Sequence, residues 1–225
     1  MTADPETRLR ADARRNRDQI LAAARVIFAA QGPEVPMEEI ARSAGVGVGT
    51  LYRRFPDRDA LIRAVAVDNF DRVLRDAKAA KDQESSDWDA LIRLLHQSME
   101  LQLSIQLAMV SPRALAILTS DPAIKALRDE LLLVMDAFVR GAQAEGRLRA
   151  DVATGDVAIL FATVLRQMPG KGEEVARMAT RRCIGIMIDG LRAAGSNELL
   201  PGRALTGADL NPPPADYLRP GPDRV

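Results

Sequence analysis

The stretch GVGVGTLYRRFPDRDAL, residues 45–61, contains three glycines within its first five residues, followed by a threonine, a tyrosine and two arginines. Glycine is a poor helix former, about 0.8–1 kcal/mol less favourable per residue than alanine. The residues that follow nevertheless have helical spacing, because Leu51 and Phe55 fall on one face. We therefore predict a short helix from about Val48 to Phe55, and its glycine-rich start requires an explanation.

On both sides of this stretch the apolar spacing predicts further helices. A first helix ends at Gly32, and a second short helix extends from Met37 to Ala44, followed by Gly45 in the position typical of a left-handed C-cap. Pro56 ends the third helix, and Asp57 is the predicted N-cap of a long fourth helix. The apolar stripe of the first helix consists of Ile20, Ala24, Ile27 and Phe28.

Residues 37–55 are thus predicted to form two helices of about two turns each, joined by a glycine turn. Helices this short are not stable alone, and the stripe of the first helix supplies a surface for them. This arrangement is typical of a helix-turn-helix DNA-binding unit, although the spacing alone fits a generic helical hairpin equally well. The exposed residues favour a polyanion as partner. With Leu51 and Phe55 inside, the outward side chains are Thr50, Tyr52, Arg53 and Arg54.

The rest of the chain is also predicted to be helical. Ser111-Pro112 and Asp121-Pro122 each pair an N-cap residue with proline at the first helical position. Apolar stripes continue through Ile124, Leu127, Leu131, Val134, Met135 and Phe138, through Val157, Leu160, Phe161, Val164, Leu165 and Met168, and through Val175, Met178, Ile184, Met187 and Leu191. The predicted fold is all-α, with an N-terminal three-helix helix-turn-helix domain and a C-terminal helical domain.

The composition argues against several classes of protein. The chain has 225 residues, 47% of them hydrophobic, and no run of about 18 apolar residues that would predict a membrane span. Its N-terminus lacks the apolar core of a signal peptide, and its single cysteine, Cys183, cannot form an intrachain disulfide, so we expect a cytoplasmic protein. The net charge is zero, but arginines crowd residues 8–17 and form a local basic patch.

The stretch IARSAGVGVGTLYRRFPDRDALI resembles the DNA-binding signature of tetracycline-repressor-like (TetR) transcriptional regulators. The resemblance is strong over about residues 16–62; beyond them only the helical pattern and the length agree. It implies a homodimeric repressor that binds a palindromic operator and is released by a small molecule, without enzymatic activity or cofactor. The implied divisions are a flexible basic arm (1–13), the DNA-binding domain (14–62), a regulatory and dimerisation domain (63–195) and a mobile Pro/Gly-rich tail (196–225).

The resemblance also implies which residues contact DNA. Glycine at the start of the third helix would let the backbone approach the groove and leave helix N-terminal amides free for phosphate. The alternative is that these glycines only shape the turn. Pro36 stands where many relatives have serine or threonine, so we expect one fewer phosphate contact there. Arg42 fits a phosphate contact and a solvated charge equally well. The implied DNA-contacting set is Arg14, Arg15, Arg17, Arg42, Gly47, Val48, Gly49, Thr50, Tyr52, Arg53, Arg54 and Arg58.

Three other functions are disfavoured by the sequence. The GVGVG run lacks the glycine spacing and the preceding strand of a dinucleotide-binding loop. Nucleophilic catalysis would depend on His96 and Cys183, which lie on separate predicted helices. The same two residues are too few for a closed metal site, so no metal is expected. A helical enzyme or a structural bundle remains the alternative to a regulator.

By the same resemblance, the middle helices around 87–110, 112–119 and 122–145 enclose a pocket for the small molecule. Its candidate lining residues, each of which is also an ordinary core residue type, are Trp88, His96, Met99, Leu103, Gln106, Met109, Met135 and Phe138. The last two helices, about 155–168 and 172–194, are apolar on more than one face, which favours a dimer interface. Its candidate residues are Ala158, Ile159, Ala162, Val164, Ile184 and Ile188.

Overall fold

The computed structural model describes residues 5–97, 101–165, 173–194 and 198–210, and it confirms the all-α fold. Within these residues the helices are α1 Pro5–Gln31, α2 Met37–Ser43, α3 Val48–Arg54, α4 Arg58–Gln83, α5 Asp87–Gln97, α6 Leu101–Val110, α7 Pro112–Ser120, α8 Pro122–Ala144, α9 Thr154–Val164 and α10 Glu173–Leu191, followed by a short 3-10 helix, Gly207–Leu210.

The helix ends lie where the local sequence signals predicted them. Gly45 has a φ of +66°, the left-handed conformation expected just beyond α2. The Asp57 carboxylate accepts a hydrogen bond of 2.7 Å from the Ala60 amide at the start of α4. The side chains of Ser111 and Asp121 cap α7 and α8 in the same way, each followed by proline.

Two clusters of buried apolar residues hold the helices together. The first, the N-terminal cluster, joins α1, α2, α3 and the first half of α4 through residues such as Ile20, Ile40 and Leu51. It also includes Leu107 of α6 and Leu118 of α7, so its core reaches beyond residue 62. The second, the C-terminal cluster, joins α4, α5, α8, α9 and α10, with Trp88 and Phe138 among its largest fully buried side chains.

The structure differs from the sequence prediction at both ends of the chain. Residues 5–13, predicted as a flexible arm, continue the helix α1. Residues 198–210, predicted as the start of a mobile tail, are instead docked on the helical body, because the Leu205 carbonyl accepts a hydrogen bond of 2.7 Å from the Gly155 amide. Residues 195–197 and 211–225 lie outside the described part of the chain.

The predicted apolar stripes of the last two helices are partly wrong. Leu160, Val175 and Met178 were predicted to be buried, but all three are exposed. The buried stripe of α10 is formed by Ile184, Met187, Ile188 and Leu191. The apolar residues of α9 and α10 therefore divide between a face packed in the C-terminal cluster and a face open to solvent, as a helix with two apolar stripes requires.

Candidate nucleic-acid interface

Helix α3 presents one side to the protein and the other to solvent. Leu51 and Phe55 are buried in the N-terminal cluster, as predicted. On the opposite side Val48 and Tyr52 are 40% and 39% exposed. The exposed surface of α3 also includes Gly49, Arg53 and Arg54, while Thr50 is half-buried. This side of α3 thus combines cationic, phenolic and hydroxyl groups.

The glycines at the start of α3 have no packing role within the protein. A Cβ atom added to Gly49 would meet no atom within 4 Å, and one added to Gly47 would lie 3.9 Å from the Thr50 hydroxyl. Gly47 is the N-cap residue, with an ordinary extended backbone. Packing inside the described protein therefore does not require glycine at either position, which leaves an approach from outside as a physical reason.

Two polar side chains on the exposed side of α3 are held in place by neighbours. The Arg53 guanidinium donates to the Gly49 carbonyl and to the Thr50 hydroxyl, both at 3.2 Å. The Tyr52 hydroxyl donates to the Glu38 carboxylate of α2 at 3.3 Å. Loss of hydration near the protein surface, together with the Glu38 charge, raises the pKa of Tyr52, so its hydroxyl stays protonated and remains a hydrogen-bond donor at neutral pH.

Arg58 does not present its charge to the α3 surface. Its guanidinium donates to the carbonyl oxygens of Pro33 and Val35, and its side chain is only 18% exposed. Arg58 therefore fixes the connection between α1 and α2, and the phosphate contact predicted for it is not supported by this conformation. Arg42, by contrast, is exposed at the C-terminal end of α2.

The start of α2 also follows the sequence analysis. Pro36 is its N-cap residue and makes no side-chain cap hydrogen bond. The Pro36 carbonyl accepts from the Glu39 amide at 3.1 Å, so the first turn of α2 begins without a capping hydroxyl. The residue at the start of α2 therefore supplies no hydroxyl for a phosphate contact, and the first turn carries the acidic residues Glu38 and Glu39.

Arg14 and Arg17 of α1 lie along a polar groove between α1 and α4. Arg14, Arg15 and Arg17 are all exposed, and Arg15 pairs with Asp12 at 2.6 Å. Arg14 and Arg17 line the groove together with acidic and basic side chains of α4, namely Asp68, Asp71, Arg72, Arg75 and Asp76. Their predicted contact with the minor groove or flanking backbone stays a prediction.

Comparison with known proteins identifies this arrangement. A family model described as "Bacterial regulatory proteins, tetR family" matches residues 20–65, and one described as "Transcriptional regulator SbtR-like, C-terminal domain" matches residues 86–193. A TetR regulatory protein from Mycobacterium vanbaalenii is 31% identical, with 82% of this chain and 99% of that chain covered and a TM-score of 0.59. The chain belongs to the TetR family.

Other relatives agree with this assignment. A TetR transcriptional regulator from Streptomyces coelicolor is 27% identical, with a TM-score of 0.63, over 80% of this chain and 99% of that chain. An HTH-type transcriptional regulator of Staphylococcus aureus is 34% identical over 84 residues, which are 37% of this chain and 45% of the relative. The chain thus spans less than half the length of the curated relatives it matches. As a TetR-family protein it is a DNA-binding transcriptional regulator and not an enzyme.

The structure also contains an apolar cavity of about 290 Å³ between α4, α6, α7, α8 and α9. Of the residues predicted to line a ligand pocket, Met135 lies in its wall. Phe70 of α4 and Phe161 of α9 also line it, and neither was among the predicted lining residues. Hydroxyl groups contribute through Ser104 and Thr119.

The other residues predicted to line a ligand pocket do not line this cavity or lie outside the described side chains. Trp88 and Phe138 are fully buried in the C-terminal cluster, where the guanidinium groups of Arg147 and Arg192 stack 5.9 and 5.2 Å from the Trp88 ring. His96 is exposed, and Leu103 packs against the N-terminal cluster. Nothing is described for the side chains of Met99, Gln106 and Met109.

The residues predicted for a dimer interface separate into three groups. Ile184 and Ile188 are buried in the C-terminal cluster of the single chain, so their side chains are not available to a second copy. Ala158 and Ala162 line the cavity, and Val164 packs partly against the same cluster. Ile159 is 42% exposed, as predicted. The other large apolar side chains exposed on α9 and α10 are Leu160, Val175, Met178 and Ile186.

The described residues contain no helix long and apolar enough to cross a membrane. Nor do they bring three or more His, Cys, Asp or Glu side chains together as a metal site.

Proposed function

We propose that this TetR-family protein is a cytoplasmic homodimeric repressor that binds a palindromic operator and is released from it by a small apolar molecule. The observation that carries the proposal is the exposed side of α3, where Tyr52, Arg53 and Arg54 stand on a helix packed as the second helix of a helix-turn-helix unit. Arginine and hydroxyl side chains are suited to base edges and phosphates.

Dimerisation is supported by the exposed apolar surface of α9 and α10. Val175, Met178 and Ile186 are 55%, 55% and 68% exposed and lie on one side of α10. Ile159 and Leu160 of α9 are also exposed, so a monomer would leave five large apolar side chains of the last two helices in water. A second copy covering the same surface gives the two-fold symmetry that a palindromic operator requires.

Control by a small molecule is supported by a core shared between the cavity and the DNA-binding helices. Leu118 of α7 lines the cavity and belongs to the N-terminal cluster. The N-terminal ends of α7 and α8 are tied to α4 by the ion pairs of Arg113 with Asp59 and of Arg63 with Asp121. A ligand that shifts α7 therefore shifts the base on which α1 and α4 orient α3, which changes the separation of the two α3 helices in a dimer.

The test is a gel mobility shift with the full-length protein and DNA from the region upstream of its own gene. We expect a discrete complex at moderate salt that an unrelated fragment of equal length does not compete away. Arg53→Ala should reduce the preference for that fragment, whereas Arg140→Ala, which removes an exposed arginine of α8, serves as the matched control. Equal affinity for both fragments with wild-type protein would contradict sequence-specific regulation.

A further inference from the structure

The segment that follows α10 packs on the N-terminal end of α9. We call residues 198–210 the strap. Its anchoring is reciprocal: the Leu205 carbonyl accepts from the Gly155 amide at 2.7 Å, and the Leu205 amide donates to the Asp156 carboxylate at 3.0 Å. The Asp156 carboxylate also accepts from the Ala153 amide at 2.9 Å. One carboxylate thus caps α9 and holds the strap at the same point.

Gly155 is the residue that allows this close approach. A Cβ atom at that position would lie 2.6 Å from the Leu205 carbonyl oxygen and closer still to the Thr206 carbonyl oxygen. Both obstacles are backbone atoms, so a side chain could be accommodated only if the strap moved. Gly155 does not have a positive φ, and its conformation alone does not require glycine. Glycine at position 155 therefore leaves the space that the docked strap occupies.

Further contacts hold both ends of the strap. The Leu200 amide donates to the Asp151 carboxylate at 2.8 Å, and Arg149 donates to the Glu198 carbonyl at 2.7 Å. At the other end the Arg203 guanidinium makes two hydrogen bonds, of 2.9 and 2.6 Å, to the Asp209 carboxylate. The strap is therefore a folded element, which ends in the 3-10 helix Gly207–Leu210.

The last residue of the strap lies in the wall of the apolar cavity. Leu210 lines it together with Leu132 of α8 and Ala162 of α9. The rest of the wall comes from helices that precede residue 165, so the strap contributes from a distant part of the sequence. A cavity of about 290 Å³ is close to the lower end of the size range of small-molecule sites.

We propose that the strap is part of the effector site, with Leu210 contacting the apolar body of the bound molecule and Gly155 serving as the docking point. This inference rests on the proposed role of the cavity as the effector site. The ligand class is a compact, largely apolar molecule, a ring system or a short hydrocarbon chain, because Ser104, Thr119 and Arg128 are the polar residues of a wall that is otherwise formed by apolar side chains. The strap sets which sizes fit, since an undocked strap opens the cavity between α8 and α9.

The experiment uses full-length protein and the fluorescent probe 1-anilinonaphthalene-8-sulfonate, whose emission rises in apolar surroundings. We expect Leu210→Ala to weaken probe binding about four- to fifteenfold, the loss of one to two methylene-sized contacts. Leu199→Ala is the matched control, because it makes the same chemical change in the strap at a side chain that is 84% exposed. Ala108→Phe, which places a large side chain of α6 in the cavity, should abolish binding of the probe there.

Gly155→Ala tests the docking itself. This variant should lose the same amount of probe affinity as Leu210→Ala. Trypsin should also cleave it faster after Arg203, because an undocked strap is accessible to the protease. A thermal melt verifies that each variant is folded. If Ala108→Phe leaves probe binding unchanged, the cavity is not the site and both proposals fail. If Ala108→Phe abolishes binding while Leu210→Ala and Gly155→Ala bind as Leu199→Ala does, the cavity remains the site and the strap proposal alone is overturned.

Discussion

The substitution Gly49→Gln distinguishes two explanations of the glycine-rich start of α3. In one the glycines allow close approach to DNA, and in the other they only shape the turn. Gly49 lies in the first turn of α3, and a Cβ atom there meets nothing within 4 Å. The substitution removes a poor helix former, so we expect the free energy of unfolding to rise by about half a kcal/mol. For a chain of this size that corresponds to an increase in melting temperature of about 1–2 °C.

DNA binding should respond in the opposite direction. If the α3 amides approach a phosphate oxygen, a glutamine side chain prevents the approach and removes a hydrogen bond to a charged group in each subunit, about 1.5–3 kcal/mol. Two subunits lose about 3–6 kcal/mol, which weakens operator binding about 10²–10⁴-fold. The dependence of affinity on salt should hardly change, because no cation is removed.

The assay is a binding isotherm at several salt concentrations beside a thermal melt, with Gly49→Ala as the smaller variant and Arg54→Ala as the control for lost charge. A stable Gly49→Gln protein with undiminished affinity would refute the close-approach argument, and the glycines would then only shape the turn.

Three further predictions follow from the described contacts. Arg54→Ala should weaken DNA binding and lower the slope of log affinity against log salt concentration by about two units per dimer. Arg58→Ala should chiefly lower the melting temperature, because the Arg58 guanidinium binds backbone carbonyls. An equal change in slope for both variants would contradict this division. Ile186→Glu should split the dimer in sedimentation while each chain stays folded, and Ile188→Glu should unfold it, because only Ile188 is buried; an intact Ile186→Glu dimer would rule out the α10 surface. Hydrogen bonds from Arg147 and Ser86 hold the pKa of Asp89 below its usual value, so its stabilisation is present at neutral pH and lost as pH falls below about 4; Asp89→Asn should flatten the acid side of the melting curve, and an unchanged curve would count against the coupling.

The DNA-binding half was predictable because its signals are local. Gly45 ends α2, Asp57 begins α4, and Leu51 and Phe55 fix the buried side of α3, all within a few residues of the structures they specify. Short-range rules of capping and periodicity are sufficient for such elements. Which side of α3 is buried and which is exposed follows from the positions of Leu51 and Phe55.

The cavity and the strap depend on contacts between distant residues, which periodicity does not encode. Leu205 donates to a carboxylate 49 residues earlier in the chain. Proline and glycine are frequent after residue 195, and that composition suggested a mobile tail, but a backbone with hydrogen-bond partners can dock without regular structure. Likewise Ile184 and Ile186 are equally apolar in sequence, and only the packing of α10 decides that one is buried and the other exposed.

The N-terminal cluster has a consequence for building chimaeric regulators from this protein. Because Leu107, Ile117 and Leu118 complete the core beneath α1 and α4, a graft cut after residue 62 would leave the transplanted DNA-binding helices with part of their hydrophobic floor missing. A working junction must carry α6 and α7 with the operator-reading part, or redesign both sides of that contact together. The segment exchanged between regulators should therefore be chosen to contain the whole N-terminal cluster, and not to end where the DNA-binding motif ends in sequence.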